Sequence, residues 1–304
     1  MRLGRFLTHE WLPAIVATVR PTTLLGYRGH VERHINPVLG GHSLGSVDPR
    51  AINALYAELL ASGLSPATVR RVHATLHRAL RDAVRWGHLE LNAAERADPP
   101  RAQADGNALM HTWEPAELKA FLRAVRCDEL YPLWLVLAMT GMRRGEALGL
   151  RWADVDVRAR SAAIRQTIVA VGADVVISSP KTARGRRVIA LDATTARCLG
   201  ALRRRRGASG SELVFAAPDG GPLNPCWVSK RFAALVRASG LPRIRLHDLR
   251  HTHATLALRA GVHPKIVSER LGHSTVAFTL DVYSHTVAHL QKEAAARVAA
   301  LVLD

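Results

Sequence analysis

The hydrophobic period of the sequence changes along the chain, and this change limits the architectures it can adopt. Up to residue 96, apolar residues recur every three or four positions, which predicts helices. Three later segments alternate and favour β-branched residues, which predicts strands: Asp154–Ala170, Asp174–Ser178 and Arg186–Leu191. Helical spacing then returns. We therefore expect a mainly α protein with a small antiparallel three-stranded sheet in its second half.

The segment between the two halves has no hydrophobic period and is rich in Ala, Asp, Pro and Gly, which is typical of a linker. A length of 304 residues fits two domains. We expect a helical domain at 1–96, a linker at 97–112 and a second domain at 113–304. The last segment, 287–302, has apolar residues on one face and predicts an amphipathic tail helix that packs on its own domain or on a neighbouring copy.

One predicted helix of the first domain carries a basic stripe opposite its apolar stripe. Ser65-Pro66 opens this helix, with Ser as the cap and Pro at the first helical position, and Asp48-Pro49 opens the preceding helix in the same way. Such a face is either simply solvated or suited to lie along phosphates. The basic stripe consists of Arg70, Arg71, Arg78, Arg81 and Arg85.

The charge of the chain favours a polyanionic partner. Lys and Arg number 42 against 25 Asp and Glu, a net charge of +17, and nucleic acid is the first candidate. A preference for arginine in the genome is the plainer explanation. The three cysteines are widely spaced, and the N-terminus lacks the features of a signal peptide. The longest apolar run is too short to cross a bilayer, so we expect a cytoplasmic protein without a membrane partner.

Two segments of the second domain hold basic residues whose chemistry is ambiguous when each is taken alone. Arg143 and Glu146 are three residues apart, so on a helix they share a face, and the carboxylate could orient the guanidinium toward an oxyanion. A surface ion pair is the simpler interpretation. Lys181 lies in a predicted β-turn, where a single lysine indicates little.

Two further segments combine histidine with arginine or tyrosine. His247 and Arg250 are also three residues apart. His247 and His251 have metal-ligand spacing, but no third ligand is evident, and we expect no metal. His273 precedes Tyr283 by ten residues, and a tyrosine in an apolar stretch usually packs in a core.

Taken together, these segments resemble the tyrosine recombinases, also called the phage integrase family, over nearly the whole chain. The matching strings are TGMRRGEALGLRW, SPKTARGRRVIAL, HDLRHTHATLAL and LGHSTVAFTLDVYSH, in that order. The N-terminal half, with TTLLGYRGHVERHINPVLG, resembles the helical, SAM-like core-binding domain of the family. The resemblance implies six catalytic residues and a supporting acid: Arg143, Lys181, His247, Arg250, His273, Tyr283 and, as the acid, Glu146.

The resemblance also implies a chemistry that needs neither metal nor cofactor. Tyr283 would attack a DNA phosphodiester to give a 3′-phosphotyrosine, while Arg143 and Arg250 neutralise the charge of the transition state. His247 would assist proton transfer from the tyrosine, Lys181 would protonate the leaving 5′ oxygen, and His273 would hydrogen-bond the phosphate.

The partners implied by the resemblance are double-stranded DNA with attachment-type sites and a homotetramer on two synapsed sites. An accessory bending or excision factor is a further expected partner. Many phage-type integrases carry an additional N-terminal domain for arm sites, whereas this chain begins almost at the core-binding domain. The main interpretation is an integrase of a mobile element. The alternatives are a Xer-like resolvase of dimers, a type IB topoisomerase and an inactive DNA-binding remnant of a longer integrase.

Overall fold

The computed structural model describes residues 1–101, 111–179, 185–207, 209–273, 275–276 and 300. The chain divides into two compact units, Met1–Leu109 and Met110–Asp304. Each unit has its own hydrophobic core. Within the described residues, no helix is long and apolar enough to span a bilayer.

The first unit is helical throughout its described part. Its α-helices are α1 (Leu3–Arg5), α2 (Leu12–Ala14), α3 (Pro21–His30), α4 (Asn36–Leu39), α5 (Pro49–Ala61) and α6 (Pro66–Arg85). A stretch of π-helix at Phe6–Trp11 joins α1 to α2, and another at Val31–Ile35 joins α3 to α4. Turns of 3-10 helix lie at Val16–Thr18, Leu44–Ser46 and Ala93–Arg96.

Side-chain caps start the two long helices where the sequence predicted them. The Ala51 backbone N–H donates to Asp48 Oδ1 (2.7 Å) at the start of α5, and the Thr68 N–H donates to Ser65 Oγ (3.3 Å) at the start of α6. Each cap satisfies a backbone donor that has no partner within the helix. In the core, the buried Asp82 carboxylate accepts a hydrogen bond from the Trp11 indole N–H (2.9 Å).

The second unit surrounds a small β region with helices. Its helices are α7 (Pro115–Ala124), α8 (Tyr131–Thr140), α9 (Arg144–Leu148), α10 (Ala193–Arg206), α11 (Pro225–Ala238), α12 (Asp248–Arg259) and α13 (Pro264–Leu271), with a 3-10 turn at Trp152–Asp154. Helix α8 is almost entirely buried, because its apolar residues occupy every face.

The β region differs from the three strands that the sequence predicted. Five short strands are present: β1 (Val155–Asp156), β2 (Ser161–Ile164), β3 (Thr167–Val171), β4 (Asp174–Ser178) and β5 (Arg187–Ala190). They form an antiparallel three-stranded sheet in the order β1-β2-β5 and a separate antiparallel hairpin β3-β4. The mainly α fold with a small antiparallel three-stranded sheet is therefore confirmed. The segments that form this sheet and their pairing differ from the prediction, and the hairpin β3-β4 is additional.

Two breaks divide the first predicted strand. A turn separates β1 from β2 and ends at Arg160, which adopts a left-handed φ of +50° although no glycine or proline marks the turn. Between β2 and β3, the Gln166 side-chain amide donates to the Gly149 carbonyl oxygen (2.9 Å), and the chain leaves the sheet there. In the sheet, β5 pairs with β2 rather than with β4.

Candidate active site

The first arginine of the predicted site is held by a buried carboxylate. Arg143 caps the N-terminus of α9 in an extended conformation, one residue before the helix that the sequence predicted to include it. Glu146 reaches back to accept hydrogen bonds from the Arg143 backbone N–H (2.9 Å) and from Nη1 (2.7 Å). The side chain of Arg143 remains 42% exposed, whereas Glu146 is buried. The expected pair is present, but its geometry is that of a helix cap.

Glu146 is charged at neutral pH because of its cationic neighbours. Burial acts to raise the pKa of this carboxyl, but the hydrogen bonds and charge of Arg187, together with those of Arg143, hold the pKa below its usual value. An ionised carboxylate so deeply buried requires such partners.

The second arginine is buried, and two backbone carbonyl oxygens accept hydrogen bonds from it. Arg250, on α12, donates from Nη1 to the Gly141 oxygen (2.8 Å) and from Nη2 to the Leu271 oxygen (2.7 Å). Arg143 reaches the same Leu271 oxygen with Nη1 (3.5 Å) and the Gly272 oxygen with Nη2 (3.1 Å). Because both guanidinium groups contact one carbonyl oxygen, the two arginines are immediate neighbours.

The two predicted histidines lie near the two arginines, since the charges of Arg250 and Arg143 act on both imidazoles. His247 caps the start of α12, and its ring packs edge-on against His251 at a centroid distance of 5.0 Å. His273 follows α13, is buried, and donates its backbone N–H to the Ser268 oxygen (3.0 Å). The structure thus brings together Arg143, Arg250 and the two predicted histidines.

Both predicted histidines are neutral near pH 7. Burial lowers the pKa of His273 to about 3, and the charges of Arg250 and Arg143 act in the same direction. Desolvation also lowers the pKa of His247, with His251 and Arg250 as further causes. Part of His247 is nevertheless exposed to solvent, and the positive charge of Arg250 adds to desolvation in lowering its pKa. A neutral imidazole can accept a proton at one ring nitrogen and donate a hydrogen bond from the other.

The arrangement suits an oxyanion with two or more exposed oxygens. Among the described residues, Arg143 and Arg187 both form ion pairs with one carboxylate, that of Glu146. Neutral carbonyl oxygens accept further hydrogen bonds from Arg143 and Arg250, and they do so without the full negative charge of a carboxylate. Preorganised donors of this kind stabilise negative charge that develops during a reaction.

Sequence reasoning missed two arginines that support the site. Arg187 on β5 donates to both oxygens of Glu146, and Arg270 on α13 donates to the carbonyl oxygens of Ala190 (3.0 Å) and Met139 (3.1 Å). A signal for Arg187 did exist. It shares a strand face with the buried Ile189, and an arginine on a buried face needs a charged or polar partner.

Lys181, Tyr283 and nearly all of the predicted tail helix at 287–302 lie outside the described residues. Among the residues that are described, no group of three or more His, Cys, Asp or Glu side chains could hold a metal ion. The pair His247 and His251 therefore has no described third ligand.

The predicted basic stripe belongs to the first unit and occupies one side of α6. Four of its members, Arg70, Arg71, Arg81 and Arg85, are exposed. Arg78 is half-buried, since its Nη1 donates to the Tyr27 hydroxyl (3.1 Å) and its guanidinium lies 5.4 Å from the centre of that ring. Two of the exposed members also have partners within the unit: Arg85 pairs with Asp82 (3.1 Å), and Arg70 donates to the Pro100 oxygen (3.2 Å).

Comparison with known proteins gives matches over both units. Residues 103–289 match the phage integrase family, and residues 5–60 match the phage integrase N-terminal SAM-like domain. A tyrosine recombinase XerC-like protein of Caldanaerobacter subterraneus subsp. tengcongensis is 27% identical, covering 92% of this chain and 78% of that protein. The ICEBs1 integrase of Bacillus subtilis is 26% identical, covering 87% and 74%.

Solved structures share the fold at lower identity. The Tn1549 transposon integrase in complex with a circular intermediate DNA superposes with a TM-score of 0.79 at 22% identity, covering 93% of this chain and 95% of that one. A lambda integrase dimer bound to a COC′ core site gives a TM-score of 0.67 at 19% identity, covering 91% and 97%.

Proposed function

The chain belongs to the phage integrase family of tyrosine recombinases, and from this premise we propose that it integrates or excises a mobile element by cutting and rejoining duplex DNA at specific sites. The observation that carries the proposal is the meeting of Arg143 and Arg250 at one carbonyl oxygen, beside the neutral His273. This arrangement presents positive charge and hydrogen-bond donors to a phosphodiester, whose own negative charge otherwise repels a nucleophile.

The reaction that we propose proceeds by transesterification. The Tyr283 oxygen forms a bond to the scissile phosphorus as the bond from phosphorus to the 5′ oxygen breaks, which leaves a 3′-phosphotyrosine. His247 is neutral, so it can accept the tyrosine proton, and Lys181 donates a proton to the departing 5′ oxygen. His273 and the two arginines hold the non-bridging oxygens. Attack by a 5′-hydroxyl of another strand reverses the step without an external energy source or cofactor.

The division of labour that we propose follows the domains predicted from the sequence. Residues 1–96 would bind the duplex, with the exposed arginines of α6 on its phosphates, and residues 113–304 would carry out cleavage. Four copies would act on two synapsed sites, assisted by an accessory bending or excision factor, and the protein would work at the nucleoid, where its substrate lies. The tail at 287–302 is the candidate contact between copies.

A covalent trapping experiment tests the catalytic proposal. Duplexes tiled across the DNA that flanks the gene, each nicked near a candidate crossover, lose a short strand after cleavage, so the phosphotyrosine accumulates. Wild type should give a protein–DNA band that survives denaturation, and Tyr283→Phe should bind the same DNA without forming the band. A band that persists in the variant, or no wild-type band anywhere in the tiled region, contradicts the proposal.

The same substrates separate an integrase from a Xer-like resolvase. An integrase recombines two different sites, one on the element and one on the host DNA, whereas a resolvase recombines two copies of one site. Recombination of unlike sites in a two-plasmid assay is the expected result. Efficient exchange between identical sites alone would favour the resolvase.

A further inference from the structure

Arg187 shares the carboxylate that orients Arg143. Its Nη2 donates to Glu146 Oε2 (2.9 Å) and its Nη1 donates to Oε1 (3.2 Å). Arg143 uses the same two oxygens, through its backbone N–H and its Nη1. Glu146 is therefore a bridge between two guanidinium groups, one on each side.

The two arginines that share Glu146 differ in how deeply they are buried. The side chains of Glu146 and Arg187 are only 5% and 9% exposed, whereas that of Arg143 is 42% exposed. Charges interact more strongly where water is excluded, so the single negative charge of Glu146 is balanced first by the buried Arg187. The charge of Arg143 then remains available to a ligand on its exposed side.

Arg187 also connects segments that carry other parts of the site. Its Nε donates to the Arg270 backbone oxygen (2.7 Å) on α13, three residues before His273. The Arg270 side chain in turn donates to Ala190 at the end of β5. The strand that holds Arg187 and the helix that leads to His273 are thus fastened to each other twice.

We propose that Arg187 is a positioning residue for DNA cleavage, which takes up the charge of Glu146 so that Arg143 can give its own to the scissile phosphate. The inference rests on the proposed function and adds a residue to it. Without Arg187, Glu146 would pair with Arg143 alone. The buried carboxylate would then cancel the positive charge of that arginine and draw its guanidinium inward.

The test compares two chemical forms of the scissile group with Arg187 variants of the full chain. A nicked duplex carrying a methylphosphonate at the mapped scissile position lacks the negative charge of the ordinary phosphate. With the ordinary phosphate, Arg187→Gln should slow formation of the covalent product about 100-fold, the size of effect that loss of an oxyanion-stabilising group has. With methylphosphonate, the ratio of the wild-type rate to the Arg187→Gln rate should be at least tenfold smaller than with the ordinary phosphate. The dissociation constant for DNA should change less than threefold.

Two further variants distinguish a charge effect from damage to the fold. Arg187→Lys keeps the positive charge but loses the paired N–H donors of the guanidinium. It should form the covalent product less than about tenfold more slowly than wild type. The double variant Glu146→Gln/Arg187→Gln frees Arg143 from its carboxylate and should recover at least tenfold over Arg187→Gln. As a matched control, Arg186→Gln removes the same charge from the exposed neighbouring residue. The ratio of its cleavage rates on the phosphate and methylphosphonate substrates should equal that of wild type.

Each outcome decides the matter. Equal deficits of Arg187→Gln on both substrates, or an Arg187→Lys variant as slow as Arg187→Gln, would reduce Arg187 to a structural role and overturn the inference. If wild type and Arg187→Gln form the covalent product at the same rate, the inference is also overturned, while the proposed function remains intact. If wild type itself forms no covalent product, the proposed function fails and the inference fails with it.

Discussion

Replacing Gly141 by alanine should damage the second unit through two separable effects. Gly141 ends α8 with a left-handed φ of +65°, and its carbonyl oxygen holds the buried Arg250. A Cβ atom at this position would lie 2.5 Å from Leu271 Cδ2 and 2.8 Å from His253 Cδ2, well inside normal contact. The left-handed backbone and the lack of space each add a cost.

The size of each cost can be estimated with a control in the same unit. Gly172, in the turn between β3 and β4, also has a φ of +65°, but a Cβ atom there would meet nothing within 4 Å. Gly172→Ala should therefore cost only the backbone term, about 1–2 kcal/mol. Gly141→Ala adds overpacking of the core, about 1–3 kcal/mol more, for a total of about 2–5 kcal/mol.

Hydrogen exchange of the intact chain measures both variants with one reporter. The slowest amides of the buried helix α8 report the free energy of opening of this unit. The two variants differ by the overpacking cost, which is at least about 1 kcal/mol. Since 1.4 kcal/mol is a factor of ten, these amides should exchange at least about fivefold faster in Gly141→Ala than in Gly172→Ala. DNA cleavage should also fall in Gly141→Ala only, because the displaced carbonyl holds Arg250. Equal exchange rates in the two variants would refute the packing argument.

Three further predictions follow from the charged groups. The pKa of His273 is about 6.5 in the unfolded chain and about 3 in the folded chain, so the contribution of this residue to stability should fall by about 1.6 kcal/mol between pH 6.5 and 5. Exchange measurements at the two pH values check this, and His273→Gln should weaken the pH dependence. For DNA binding, Arg81→Ala should lower the slope of log affinity against log salt by about 1, while Arg50→Ala, off the stripe on α5, should not; equal slopes would contradict a role of α6 on phosphates. Lastly, the lysine in Arg250→Lys cannot reach both carbonyl oxygens that Arg250 contacts, and covalent complex formation should fall about 100-fold. An unaffected rate would show that Arg250 does not stabilise the transition state.

Local chemistry made much of the helical architecture predictable. The caps at Asp48 and Ser65 each precede a proline, and both helices start there as the sequence indicated. The sheet was harder to predict, because its turn at Arg160 carries no turn residue and its strands are only two to five residues long. Pairing of β2 with β5 depends on contacts distant in sequence, which a hydrophobic period does not reveal.

The site was predictable where partners are close in sequence and unpredictable where they are not. The spacing of Arg143 and Glu146 indicated their ion pair, although the pair forms across a helix cap rather than on a helical face. The second partner of Glu146 is 41 residues away, on a strand. No local pattern states that Arg187 meets this carboxylate. The contact follows only from the way β5 pairs with β2 and packs near α13.

The carbonyl oxygens that hold the arginines come from the C-terminal ends of two helices. Gly141 ends α8, and Leu271 and Gly272 end α13. Aligned peptide dipoles give such an end roughly half a negative charge. The helices therefore act as partial counterions, which steady Arg143 and Arg250 before DNA arrives without neutralising either one. Because helix ends hold these guanidinium groups in place in advance, a phosphate can enter and leave with little rearrangement, as a reversible strand exchange requires.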